Sequence, residues 1–174
     1  MKMNTFNNTL RGRRAQKEGK TFEQLIINCA RRENIAIKKS DPALKQAPSK
    51  SGKTIFWRER SGADFFIGLE NKAIIFDAKS FGSDRISYSQ LIEHQLFDLK
   101  IWNDAGFKSG YLINFRRPDK VVWLNISCLL KLKTGESIHA DEGCLLGTEF
   151  SFSLLKLFSN EETQCKAKSE SKTL

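Results

Sequence analysis

Long apolar runs are missing from this chain. No stretch approaches the roughly 18–20 residues a helix needs to cross a bilayer, and the polar N-terminus lacks the apolar core of a signal peptide. A cytoplasmic setting is therefore expected. Cysteine is sparse. Cys29, Cys128, Cys144 and Cys165 lie far apart and form no C-x-x-C pair, which speaks against a zinc site or a disulfide framework and for free thiols. His94 and His139 are too few and too isolated to build a metal centre. Acidic residues are outnumbered, 20 against 29 Lys and Arg, leaving a net charge of +9. On 174 residues, enough for one domain with a real core, a field of that sign favours polyanions: nucleic acid first, an acidic membrane surface second.

What is present centres on Ser61 to Ser80. Two short apolar runs, Ala63 to Leu69 and Ala73 to Ala78, are parted by Glu70-Asn71-Lys72 and read as a β-hairpin with a loop of about three residues. Asp64 opens the first strand; Asp77 and Lys79 close the second. Antiparallel pairing puts the start of one strand beside the end of the other, and residues two apart share a face. Two carboxylates and one amine should therefore meet at one end of an apolar ribbon. Mg²⁺ takes oxygen ligands, commonly one or two carboxylates plus waters and a substrate phosphate, and the Ala78 carbonyl is a further oxygen in place. Lys79 would orient an attacking water or meet charge building on phosphate. The same spacing alone also suits a solvated Asp and a surface Asp/Lys pair on an ordinary hairpin.

Asp64…Asp77-Ala78-Lys79 on a hairpin resembles the PD-(D/E)xK nuclease signature, and more of the chain is similar to its RecU-type Holliday junction resolvases. The matching segments run in the family's order over roughly residues 11 to 145. They are Arg11-Gly12 leading into Phe22-Glu23; Ile35 to Lys39 with Pro42; Ser61 to Phe65 with Gly68; Phe76 to Lys79; His94-Gln95; Gly110 to Phe115; and Ser137-Ile138 with Glu142. The chain departs from the pattern in three places. Asp77 stands where the family usually has Glu, Gly62 where it has Thr, and the segment between Lys39 and Phe56 is shorter than the family's protruding stalk.

Along the chain, residues 1 to 15 form a basic flexible arm in this reading, turning into a helix from about Gln16 to Asn34 with Phe22, Leu25, Ile26 and Cys29 as its apolar stripe. Glu23 lies beside the stripe. Periodicity makes it a boundary glutamate; the resemblance makes it a helix-borne metal ligand or a partner of Lys79. Ile35 to Lys39 reads as a strand, residues 40–53 as a basic stalk-like loop, and Thr54 to Arg60 as a strand. Ser87-Tyr88-Ser89-Gln90 has the form of a capping box opening a helix that runs to about Ala105 and stops at Gly106. Gln95 sits inside that helix's apolar stripe and needs a partner; the resemblance turns it toward the metal site. Gly110 to Phe115 and Val121 to Ile126 are strands joined by a turn carrying Arg116, Arg117 and Lys120. Ser127 to Leu132 reads as a short helix, Leu145 to Phe158 as a last ordered piece, and residues 159–174 as a disordered tail.

The expected fold is α/β, a restriction-endonuclease-like mixed central sheet of about five strands flanked by helices, over residues 16–158. The resemblance implies a metal-dependent structure-selective endonuclease cutting four-way junctions as a homodimer, with Mg²⁺ as cofactor and Mn²⁺ as substitute. Glu23, Asp64, Asp77, Lys79 and Gln95 are the catalytic candidates, and Asp64, Asp77, Ala78 and Glu23 the metal candidates. Candidate nucleic-acid contacts are Arg11, Arg13, Arg14, Lys38, Lys39, Lys45, Lys50, Lys53, Arg58 and Arg60. A repair or restriction-like nuclease on duplex or flap DNA, and a non-catalytic DNA-binding module, are the alternatives.

Overall fold

The structure is a computed structural model that describes residues 3–40, 44–48, 54–58 and 62–159. A 30-residue helix, α1 (Met3–Arg32), leads into β1 (Ala36–Lys39). The helix starts at Met3, so most of the segment read as a loose arm is its first turns. Arg11, Arg13 and Arg14 are good helix formers, but Asn4, Thr5, Asn7, Asn8, Thr9 and Gly12 are poor ones, so local composition carried no signal for these turns. Next come β2 (Leu44–Pro48) and β3 (Thr54–Arg58), which pair with each other as a separate antiparallel ribbon. Part of the expected 40–53 loop is thus a strand, and Thr54–Arg58 does not join the main sheet.

The site hairpin is β4 (Phe65–Leu69) and β5 (Lys72–Phe81), joined by a two-residue turn in which Glu70 takes φ 54°. After the short strand β6 (Arg85–Ser87), the capping box at Ser87 closes a single 3₁₀ turn, Tyr88–Gln90. The helix expected to start there, α2 (Glu93–Asp104), begins only after Leu91 and Ile92, and it ends where expected, at Gly106 with φ 90°. Then follow β7 (Lys108–Phe115), β8 (Lys120–Asn125), α3 (Ile126–Leu129), β9 (Ser137–His139), β10 (Cys144–Thr148) and β11 (Ser151–Phe152).

The central sheet has seven strands in the order β1-β4-β5-β7-β8-β10-β11, not about five. β10 and β11 were hidden because strands of five and two residues carry too little alternation to read. Among the described residues only β5 and β7 pair in parallel, joined by the crossover through α2, so the sheet is mixed with helices on both faces. Residues alternate strictly along β5. Ile74 and Phe76 join Phe22 and Ile26 of α1 in one core layer, while Ile75 joins Leu99 of α2 and Leu129 of α3 in the other. That period of two sends Asp77 and Lys79 to the α2 face. Phe76 stacks on Phe65 at 5.3 Å and meets Trp123 edge-on at 6.2 Å, which pins the hairpin to the sheet.

The last ordered piece belongs to the core: Leu146, Phe152, Leu154 and Leu157 are buried. Glu33, just past α1, accepts the Leu154 and Leu155 amides at 2.8 and 3.1 Å, and Arg32 donates to the Phe152 carbonyl at 2.9 Å. Cys29 and Cys144 are outside any disulfide, whereas Cys128 is disulfide-bonded; pairing follows tertiary approach, which spacing does not carry. Of residues 159–174, read as a disordered tail, all but Ser159 lie outside the described residues.

Gly110 on β7 lies directly against the backbone of β8. A Cβ there would sit 2.1 Å from the Leu124 carbonyl oxygen on β8. Gly110→Ala is expected to cost about 2 kcal/mol or more of stability by forcing β7 and β8 apart; an unchanged urea midpoint would contradict that.

Candidate active site

Phe65 faces Phe76 across the hairpin, so Asp64 and Asp77 are the next pair, just past the end of the ladder. The Asp64 amide donates to Asp77 Oδ1 at 2.9 Å, and the Ala78 amide donates to Asp64 Oδ2 at 3.1 Å. Asp77 thus holds the backbone of Asp64, and Asp64 holds that of Ala78. Asp77 is fully buried, and its Oδ2 has no hydrogen-bond partner among the described residues. Lys79, two residues on and on the same face, places its ammonium 3.9 Å from that oxygen and 2.6 Å from Gln95 Oε1. Gln95 lies in the first turn of α2 and is 9 % exposed; its partner is Lys79.

The electrostatics follow from this crowding. Burial, then the charge of Asp64, pushes the Asp77 carboxyl up to about 7, against the pull of Lys79 and the Asp64 amide. Asp64 is also raised, first by burial, with the Ala78 amide and Lys79 opposing. Two neighbouring carboxyls that resist ionising together are a site that gains from a cation.

Glu23 is placed differently. It projects from α1, with its carboxylate 3.0 Å from the ammonium of Lys39 on β1. It is close enough to Asp64 to add to that residue's rise, and Lys39 lowers it. Among the described residues no set of three or more His, Cys, Asp or Glu is gathered to hold a metal ion. The acidic convergence is the pair Asp64 and Asp77, with Glu23 tied to Lys39 nearby.

Of the candidate nucleic-acid contacts, Arg11, Arg13 and Arg14 lie on α1, with Arg13 exposed; Lys38 is exposed on β1, and Lys39 faces Glu23. Lys45 and Arg58 lie on the β2–β3 ribbon, opposite Trp57 and Leu44. Lys50, Lys53 and Arg60 lie outside the described residues. In the β7–β8 turn, Arg116 pairs with Glu18 of α1, and Lys120 with Asp141. A depression of about 560 Å³ follows α1, lined by Arg13, Gln16, Lys17, Lys20, Thr21, Gln24 and Leu25. It is basic and away from the carboxylates.

Two neighbours of the site escaped the sequence reading. Tyr111, fully buried on β7, is in register with Asp77, and the Lys79 ammonium stands 5.4 Å from its ring centroid. Asp98, three residues after Gln95 on α2, adds to the rise of Asp77 and lies where a side chain at Gly62 would point, 3.4 Å from a built Cβ. The i, i+3 relation to Gln95 was a signal for Asp98. For Tyr111 there was none, because the register of two parallel strands joined through a helix is not written locally.

The architecture, a mixed central sheet flanked by helices, broadly resembles restriction-endonuclease-like folds. Among solved structures, the chain is similar to Hjc of Archaeoglobus fulgidus, a Holliday junction resolvase from an archaeal hyperthermophile, with a TM-score of 0.50 over 71% of this chain and 89% of that one at 12% identity. At that identity the likeness is one of fold. No family model matches the sequence, and no curated protein matches it.

Proposed function

We propose that the chain is a divalent-metal-dependent endonuclease for branched DNA, with four-way junctions as its leading substrate. The observation that carries this is the meeting of Asp64, Asp77, Lys79 and Gln95 at one end of the β4–β5 hairpin. The residues fit a hard cation. The donors are all oxygen, Asp77 Oδ2 is buried with no hydrogen-bond partner among the described residues, and the two carboxyls resist shared ionisation. Asp64, Asp77 and the Ala78 carbonyl would hold Mg²⁺ or Mn²⁺, and Glu23 would join only by leaving Lys39. The ion would supply polarisation of the phosphodiester.

The chain's own groups do the rest. Gln95 holds one donor of the Lys79 ammonium, which leaves others for an attacking water or a phosphate oxygen, and cleavage leaves a 5′-phosphate. Exposed Arg13 and Lys38, with the basic depression along α1, track the backbone of the arms. A twofold dimer would present one site to each of two opposed strands of a junction, in a cytoplasmic, nucleoid-associated setting. A nuclease acting on duplex or flap DNA is the second reading. It is favoured by the short β2–β3 ribbon, which stands where the resolvases resembled have a longer stalk.

The test is an end-labelled panel of four-way junction, flap and linear duplex, incubated with Mg²⁺, with Mn²⁺ and with chelator. Paired, symmetric incisions in the junction, lost with chelator, are expected. Preferential cutting of flap or duplex would transfer the assignment to the second reading. No metal-dependent cutting of any of them would leave a DNA-binding module.

A further inference from the structure

We infer that Tyr111 is a positioning residue that uses the face of its ring to hold the Lys79 ammonium over the carboxylate pair. Any consequence for cutting rests on the nuclease reading; the positioning itself does not.

Three elements converge on the Lys79 nitrogen. Gln95 of α2 takes one hydrogen bond at 2.6 Å, Asp77 of β5 lies at 3.9 Å, and the Tyr111 ring of β7 lies 5.4 Å away at its centroid. The parallel register fixes this. Tyr111 is the direct neighbour of Asp77, and Lys79 is two residues further along the same face, so its stem passes the ring. The ring cannot shift aside, because Tyr111 is fully buried among Ile75, Ile113 and Leu99.

The kind of contact matters. A lysine carries three donors on a flexible stem that is costly to immobilise. A second carboxylate or amide would restrain the amine by occupying another donor. The negative face of an aromatic ring attracts the cation without occupying any, so the amine is held while its remaining N–H groups stay free for substrate. Burial, with the charge of Asp77 adding to it, pushes the Tyr111 hydroxyl well above the usual phenol range. The contact with Lys79 is made by the face of the ring.

The closing experiment has a metal-free arm and a kinetic arm. In the NMR spectrum of the metal-free, full-length protein, the Lys79 ε-methylene protons, assigned through Lys79→Arg, should be shifted upfield by the ring. Tyr111→Phe should keep that shift and Tyr111→Leu should abolish it. In junction cutting, Tyr111→Leu should lower kcat roughly five- to tenfold with KM unchanged, while Tyr111→Phe stays within about twofold of wild type. An ordinary ε-methylene position in the wild type overturns the inference whatever the Leu variant does. So does a Tyr111→Leu protein that folds and keeps the wild-type kcat. If the upfield shift is present and behaves as expected but no DNA is cut, the positioning stands and the nuclease reading falls.

Discussion

Asp77→Asn should abolish junction cutting, by about 10³-fold or more, while leaving the metal-free protein at least as stable as wild type at pH 8. The two halves of this outcome come from one geometry. In the folded chain Asp77 is fully buried, and its Oδ1 accepts the Asp64 amide. An amide oxygen in the same place accepts that bond equally well, so the end of the hairpin keeps its backbone contact. What is removed is the charge on Oδ2, which has no hydrogen-bond partner among the described residues and which burial and the Asp64 carboxylate oppose more than Lys79, 3.9 Å away, favours. A buried charge of this kind works against folding. It is retained where a cation or a reacting phosphate needs it. A residue serving only the fold would show the reverse, loss of stability with little effect on chemistry. The check is a labelled-junction time course beside a urea unfolding curve for both proteins. Equal cutting by the variant, or a variant that unfolds at markedly lower urea, would remove Asp77 from the reaction.

How much of this could be read beforehand depends on whether the information is local. The apposition of Asp64 and Asp77 was legible because an antiparallel hairpin with a short turn has essentially one register once the alternation is set, and Ile74, Ile75 and Phe76 set it. Gln95 was legible as a polar residue in an apolar stripe; its partner proved to be Lys79. The strand pair β7–β8 was legible for the same reason as the hairpin, two apolar runs around a charged turn. Glu23 shows where such reading stops. It borders the apolar stripe of α1, and whether its carboxylate turns to Lys39 or to the aspartates depends on the distance between a helix and a sheet edge. The start of α2 shows another limit, since a capping box at Ser87 was satisfied by one 3₁₀ turn and the true helix starts at Glu93, behind an Ile92 whose side chain makes no capping bond. The two-residue β11 and the β2–β3 ribbon are products of pairing, not of composition.

Raising the pH should weaken the metal-free fold, and a divalent cation should restore it. Asp77 ionises near 3.8 in an unfolded chain and at about 7 in the folded one. From about pH 4 to 7 the folded protein therefore holds a proton that the unfolded chain has lost. Unfolding releases it, and stability falls as pH rises through that window. About three pH units correspond to an upper bound of roughly 4 kcal/mol, fully felt above pH 7. Surface carboxylates run the other way, Asp84 held low by His139 and Asp141 by Lys120. The informative quantity is thus the difference between wild type and Asp77→Asn. With chelator present, urea midpoints from pH 5 to 8 should diverge in favour of the variant, the gap closing toward pH 5. Mg²⁺ or Mn²⁺ at pH 8 should raise the wild-type midpoint by binding the folded state alone, and should do so less at pH 5, where protons compete for the same oxygens. Asp64→Asn should lose most of that gain. If the two midpoints track each other across the range and the cation moves neither, the carboxylate pair is neither strained nor a metal site, and the hairpin end is an ordinary polar terminus.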